Sequence, residues 1–331
     1  MKSSSFRVIL SGLVLVVFCA VLLSGSLVLA DSNSTDESCR VSVSSGRYVA
    51  PAAELASTSD NPDFITLENS VMEVTSLPNR GRLIFDYYYK PAEVSLVYNE
   101  TSPMPLELGD GLFQEFGGYY TSYPWNQRAN QPYDLEYEID DDASSTDCSV
   151  IIFKKGDDFP LDYEAELKVR PDDPKVYLKI ELSNTTGREQ NIDWSDKLVV
   201  AAGEELGAGT ELILPRGTEE VTGEEGEVLN WPQPWKKWEN FEDQNKFSVA
   251  LKDVEGIKFK TYYPQKDIEF VKEWDSGISY NELQVLSWGP SYEDTLGAYP
   301  GFLISNRKPG FILKPGETKT FRVRFYGKQN S

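Results

Sequence analysis

Val176-Tyr177-Leu178-Lys179-Ile180-Glu181-Leu182 alternates without a break, with Val176, Leu178, Ile180 and Leu182 apolar and the residues between them polar or amphipathic. A period of two places successive side chains on opposite faces of an extended chain, so this is a strand with one face buried and one in water. Ala165-Glu166-Leu167-Lys168-Val169, Ile257-Lys258-Phe259-Lys260 and Phe321-Arg322-Val323-Arg324-Phe325 repeat the pattern. Turn chemistry separates such runs at Pro171-Asp172-Asp173-Pro174, Thr186-Gly187 and Lys314-Pro315-Gly316-Glu317. No stretch beyond residue 31 carries the apolar spacing and caps of a three-turn helix. The predicted fold is all-β: a large antiparallel β-sandwich over residues 63–331 rather than two small domains.

The remaining N-terminal residues read differently. Met1-Lys2-Ser3-Ser4-Ser5-Phe6-Arg7 precedes an apolar run from Val8 to Ala30, and Val28-Leu29-Ala30 before Asp31 fits a signal-peptidase site. Residues 1–30 are therefore either a cleaved signal peptide or an N-terminal anchor, and both readings make the chain secreted or displayed on the cell surface. Residues 31–62, rich in Ser, Thr, Asp and Ala, read as an irregular tether. Cleavage removes Cys19 and leaves Cys39 and Cys148, which pair as a disulfide in an oxidising compartment. Asn33-Ser34-Thr35, Asn99-Glu100-Thr101 and Asn184-Thr185-Thr186 are N-glycosylation triplets.

Composition narrows the function. The 331 residues contain 53 Asp and Glu against 32 Lys and Arg, a formal charge of −21, and no His. Without His there is no Ser-His-Asp, Cys-His or His-metal chemistry. The acidity argues against a nucleic-acid partner and against anionic membrane surfaces, which leaves the N-terminal segment as the one route to a membrane. No phosphate loop, dinucleotide fingerprint or CxxC motif is present, and no cofactor is expected. The acidic runs Asp140-Asp141-Asp142, Asp157-Asp158 and Asp172-Asp173 lack the ligand spacing of a calcium loop and read as solvated turns, so no metal is expected. The sequence carries no signal for an oligomeric state.

Four segments, taken in order, resemble the galactose mutarotase-like superfamily of β-supersandwiches, which includes aldose epimerases. Leu77-Pro78-Asn79-Arg80-Gly81-Arg82-Leu83-Ile84 is similar to its early Gly-Gly-Arg strand, and Val176–Thr186 to a central strand ending in Asn-Thr. Tyr280–Gly289 occupies the place of a late, site-bearing strand, and Leu313-Lys314-Pro315-Gly316-Glu317 resembles the turn before the last strand. The resemblance implies a supersandwich fold and carbohydrate as partner, and it places Glu282 on the strand that carries the family's catalytic base. The family's catalytic His has no counterpart here, which makes mutarotation by its usual mechanism implausible.

Sugars present apolar CH faces edged with hydroxyls, so their sites combine aromatic plates with planar amides, carboxylates and guanidinium groups. Residues 113–128 supply both, with Tyr119, Tyr123, Trp125, Asn126 and Arg128 as candidate ligand contacts and Gly117-Gly118 permitting close backbone approach. The Pro-rich segment 231–238 adds Trp231, Trp235 and Trp238, and Trp288 follows on the late strand. Glu282 as base, with Glu115 or Tyr119 as acid, is the candidate catalytic pair. The expected function is an exported protein that binds a neutral sugar or glycan, with binding favoured over turnover. The alternatives are a carboxylate-dependent hydrolase, lyase or epimerase, and a structural or adhesive surface protein whose aromatics are core.

Overall fold

The computed structural model describes residues 38–45, 63–99, 106–108, 111–113, 117–121, 135–140, 146–155, 161–201, 209–232, 236–241, 245–251, 258–288 and 301–330. Two antiparallel sheets face each other across one core. The larger runs β1 (Arg40–Ser45), β2 (Asp63–Glu68), β3 (Met72–Leu77), β4 (Arg82–Tyr89), β8 (Tyr119–Thr121), β13 (Gln190–Ala201), β21 (Gly301–Leu313), β20 (Glu282–Trp288), β17 (Asn245–Ala250), β15 (Glu220–Gly223) and β16 (Val228–Asn230), with β5 (Val94–Ser95) beside β4. The smaller runs β14 (Glu211–Ile213), β18 (Lys258–Tyr263), β19 (Ile268–Trp274), β22 (Thr318–Gln329), β12 (Lys175–Ser183), β11 (Asp162–Val169), β10 (Cys148–Lys154) and β9 (Glu136–Asp140). A separate hairpin pairs β6 (Leu106–Leu108) with β7 (Gly111–Phe113). Among the described residues there is no α-helix, and no helix is long and apolar enough to cross a membrane.

The alternation read from the sequence is the alternation of the strands. Val176, Leu178, Ile180 and Leu182 are buried, as are Phe321, Val323 and Phe325 on the neighbouring β22. These side chains meet those of the larger sheet: Trp194 of β13 stacks on Phe321 at 4.4 Å, and Tyr119 of β8 meets Phe325 edge-on at 4.8 Å. The opposite face of the smaller sheet is solvated and laddered with ion pairs such as Lys179–Glu181 at 2.9 Å and Lys260–Glu269 at 2.8 Å. Exposed pairs of this kind add little stability each.

Cys39 and Cys148 form the expected disulfide, with Cα atoms 5.8 Å apart. It joins the residue just before β1, at one edge of the larger sheet, to the first residue of β10 in the smaller one. Residues 40–45, read from the sequence as part of an irregular tether, instead form β1 and pair with β2 from Arg40 opposite Glu68 to Ser45 opposite Asp63. The strand's period of two rests on Val41 and Val43 alone, and with Val43 exposed the run is too short and too polar to read as a strand from sequence. Residues 1–30, with the signal or anchor reading, and the rest of the tether other than Ser38 and Cys39 lie outside the described residues, as does Asn33.

Asn184 corrects another expectation. It is 1% exposed, and its amide Nδ2 donates to the carbonyls of Arg188 at 2.9 Å and Leu313 at 2.8 Å. Its Oδ1 accepts from the backbone N–H and the hydroxyl of Thr186. A glycan needs that nitrogen in water, so the folded protein has no acceptor at 184. The residue serves instead as the knot between the β12–β13 turn and the Lys314–Glu317 turn, whose Gly316 N–H also donates to its carbonyl.

Candidate functional site

The larger sheet has an outer face, turned away from the smaller sheet, and its centre is where sequence-predicted residues and new ones meet. Register fixes who belongs there. In β13 the core side chains are Trp194, Asp196, Leu198 and Val200, so Ser195, Lys197 and Val199 point the other way. The ladder sets Lys197 opposite Tyr120 of β8 and Ser305 of β21, and Val199 opposite Leu303. One strand further, Leu286 lies opposite Leu303, Gln284 opposite Ser305, and Glu282 opposite Arg307.

Val199 and Leu303 are buried yet separate from the main core, and Tyr98 and Leu286 pack against them. Polar groups follow this apolar plate along the strands, some toward β8 and some toward β20. On one side Tyr120 lies between two cations, with the Arg82 guanidinium 3.9 Å and the Lys197 ammonium 5.9 Å from its ring centroid. On the other, Arg307 Nη1 stands 3.3 Å from Glu282 Oε2, and Gln284 Nε2 donates to Glu282 Oε1 at 3.4 Å. Beyond Arg82 on β4, burial pushes the Asp86 carboxyl above its ordinary pKa against the hydrogen bonds of Ser95 and Asn99. Asn99, an expected glycan acceptor, is thus half-buried and engaged with Asp86.

Two backbone devices shape this region. Gly81, with φ 67°, caps the turn Pro78–Arg80 in the left-handed conformation and launches Arg82 into β4. Gly118 has φ 91°, and a Cβ there would stand 2.5 Å from the Ile84 carbonyl oxygen. One on Gly117 would stand 2.0 Å from that of Tyr98. The glycine pair expected to admit a ligand therefore admits the chain's own backbone, drawing β8 against β4.

Strand parity also corrects the aromatic candidates. Tyr119 is fully buried on the core side of β8, and its neighbour Tyr120 is the one on the outer face. Burial, reinforced by the Asp196 charge, holds the Tyr119 phenol well above its ordinary pKa, so it serves neither as ligand contact nor as acid. Trp238 is buried in a short 3-10 turn, and half-buried Trp231 packs on Phe247 at 5.5 Å. Both add to the core rather than to an open loop. Glu115, Tyr123, Trp125, Asn126, Arg128 and Trp235 lie outside the described residues, as does the side chain of Trp288, whose backbone ends β20 opposite Gly301.

Sequence reasoning missed Arg82, Asp86, Tyr120, Lys197 and Arg307. Arg82 stood inside a quoted motif with no role attached. Tyr120 and Lys197 become visible once β8 and β13 are phased, and the apolar partners that fix the phase of β8 are contributed by other strands. Glu282 is the one predicted carboxylate that the described residues bring to this face.

No protein-family model matches the chain, and no curated protein matches it in sequence. Solved structures do resemble it. A TPR-domain containing protein from Parabacteroides distasonis shares the fold at TM-score 0.66 and 13% identity over 88% of this chain, which spans 55% of that protein's length. A galactose mutarotase-like protein from Clostridium acetobutylicum matches at TM-score 0.54 and 12% identity, covering 89% of this chain and all of that one. A putative aldose 1-epimerase from Klebsiella pneumoniae matches at 0.55 and 12%, covering 82% and 81%. At these identities the likeness is one of fold.

Proposed function

We propose that this chain, which has the galactose mutarotase-like fold, is an exported carbohydrate-binding protein whose ligand is a neutral sugar or glycan held at the centre of the larger sheet's outer face. One observation carries the reading: on one face the Val199–Leu303 plate is followed along the strands by the Tyr120, Lys197 and Gln284 rung and then by the Glu282–Arg307 pair. An apolar plate suits the CH face of a pyranose. Planar carboxylate, amide and guanidinium groups at its edges suit vicinal hydroxyls. The net charge of −21 opposes uronates and sulfated glycans.

Binding fits the site better than turnover. Glu282 already accepts from Arg307 and Gln284, an arrangement that orients an acceptor for hydroxyls. Tyr119, one of the two acids that would complete an acid–base pair with it, lies on the far side of the sheet. A glycan array probed with the full chain tests the proposal. Selective retention of neutral glycans is expected, followed in titrations by a loss of at least about tenfold in affinity for Glu282→Gln and Arg307→Ala, the value of one charge-assisted hydrogen bond. A blank array across neutral and acidic sugars refutes it and leaves the structural or adhesive role.

A further inference from the structure

The interior of the sandwich holds a polar group that the outer site does not use. Lys272 of β19 is fully buried and reaches from the smaller sheet across the core, where its Nζ meets Oδ1 of the fully buried Asp196. The Tyr280 hydroxyl donates to the other carboxylate oxygen, Oδ2. Asp196 stands on β13 directly opposite Asn306 of β21. Asn306 is fully buried too, and neither its Nδ2 nor its Oδ1 has a hydrogen-bond partner among the described residues. The side chains of directly opposed residues on one face of an antiparallel ladder lie about 5 Å apart at Cβ. Aromatic rings wall the group, with Tyr119 5.0 Å and Phe259 5.8 Å from the Lys272 nitrogen.

A buried lysine, a buried carboxylate against it and a buried, unpaired carboxamide beside that carboxylate are costly as separate groups. They are also the reactants for an amide bond. We propose that Lys272 Nζ and Asn306 Cγ become joined in a covalent cross-link between the two sheets, with Asp196 as the catalytic acid–base group. Asp196 takes the ammonium proton and leaves a neutral amine. The nitrogen lone pair then forms the Nζ–Cγ bond while the Cγ=O electrons move onto Oδ1, which the Asp196 carboxylic acid stabilises by hydrogen bonding. Collapse of this intermediate restores the carbonyl and breaks Cγ–Nδ2. The second Nζ proton passes through Asp196 to Nδ2, and ammonia leaves. One amine and one primary amide give one secondary amide and ammonia, with no oxidant or reductant. Burial lowers the Lys272 pKa from its ordinary value, against the opposing pull of Asp196, and so favours the neutral nucleophile. Water, the competing nucleophile, is kept out by the same burial.

Tryptic mapping of the full chain tests this. The interval Asp267–Arg307 contains one internal tryptic site, Lys272, and neither an N-glycosylation triplet nor a cysteine. The expected result is a single uncut 267–307 peptide lighter than its sequence by one ammonia. A protease cutting after Glu269, Glu273, Glu282 and Glu293 then leaves the fragments 270–273 and 294–307 joined. Asn306→Ala and Asp196→Asn are expected to restore cleavage after Lys272. Quantitative release of unmodified Asp267–Lys272 and Glu273–Arg307 from the wild-type chain overturns the proposal, whatever the variants do. Recovery of the 267–307 peptide joined to the tryptic peptide 189–197, with loss of one water, overturns the assignment to Asn306 and moves the bond to Asp196.

Discussion

Asp196 and Lys197 are consecutive, and the sheet separates their tasks completely. Asp196 faces Lys272 and Tyr280 in the core, whereas Lys197 faces Tyr120 on the outer side. Opposite consequences follow for their substitution. Asp196→Leu leaves a buried ammonium without its carboxylate and is expected to cost about 3–5 kcal/mol in denaturant unfolding. Lys197→Met is expected to weaken glycan binding in a titration while leaving the unfolding midpoint in place. The same step of one residue explains the sequence reading at Tyr119. An aromatic-rich run announces that a site or a core is near, but a three-residue strand such as β8 is too short to carry its own period. Only the pairing of Leu198 with Tyr119 and Lys197 with Tyr120 tells which ring serves which.

At the scale of elements, legibility followed apolar content. Strands β11, β12 and β22 could be phased in advance because each alternates over eight or more residues with one solvated face. Strand β1 could not, since only Val41 and Val43 carry its alternation and Val43 is exposed. The triplet at 184 shows a second limit. Asn184-Thr185-Thr186 was legible as an acceptor and equally as the end of a central strand, and only the fold chooses the latter. Its side-chain amide donates to the Leu313 carbonyl, while its backbone N–H donates to the Glu317 carbonyl and its own carbonyl accepts from the Gly316 N–H, so the residue ties together two turns distant in sequence. Asn184→Ala leaves the buried Leu313 carbonyl short of a donor and is expected to cost about 1–3 kcal/mol, read from the urea midpoint. Glycopeptide mapping is expected to find residue 184 bare.

For the molecule as a whole, periodicity and cysteine count sufficed for the all-β sandwich and the cysteine pair. They could not show which residues share a face, because the outer site gathers β4, β8, β13, β20 and β21 from positions 82 to 307. The disulfide acts on that same long range. A pull on the N-terminal segment enters the fold at Cys39, ahead of β1, and passes through sulfur into β10, which is hydrogen-bonded on both sides to β9 and β11. The edge strand β1, paired among the described residues with β2 alone, is thereby spared from peeling away one hydrogen bond at a time. The bridge closes a loop spanning 109 residues, so the oxidised molecule stretched between its ends in a force spectrometer is expected to fall short of the reduced one by about 370 Å of contour length, at ~3.4 Å per residue. Oxidation thus sets how far the protein yields under load, as well as how firmly it is folded at rest.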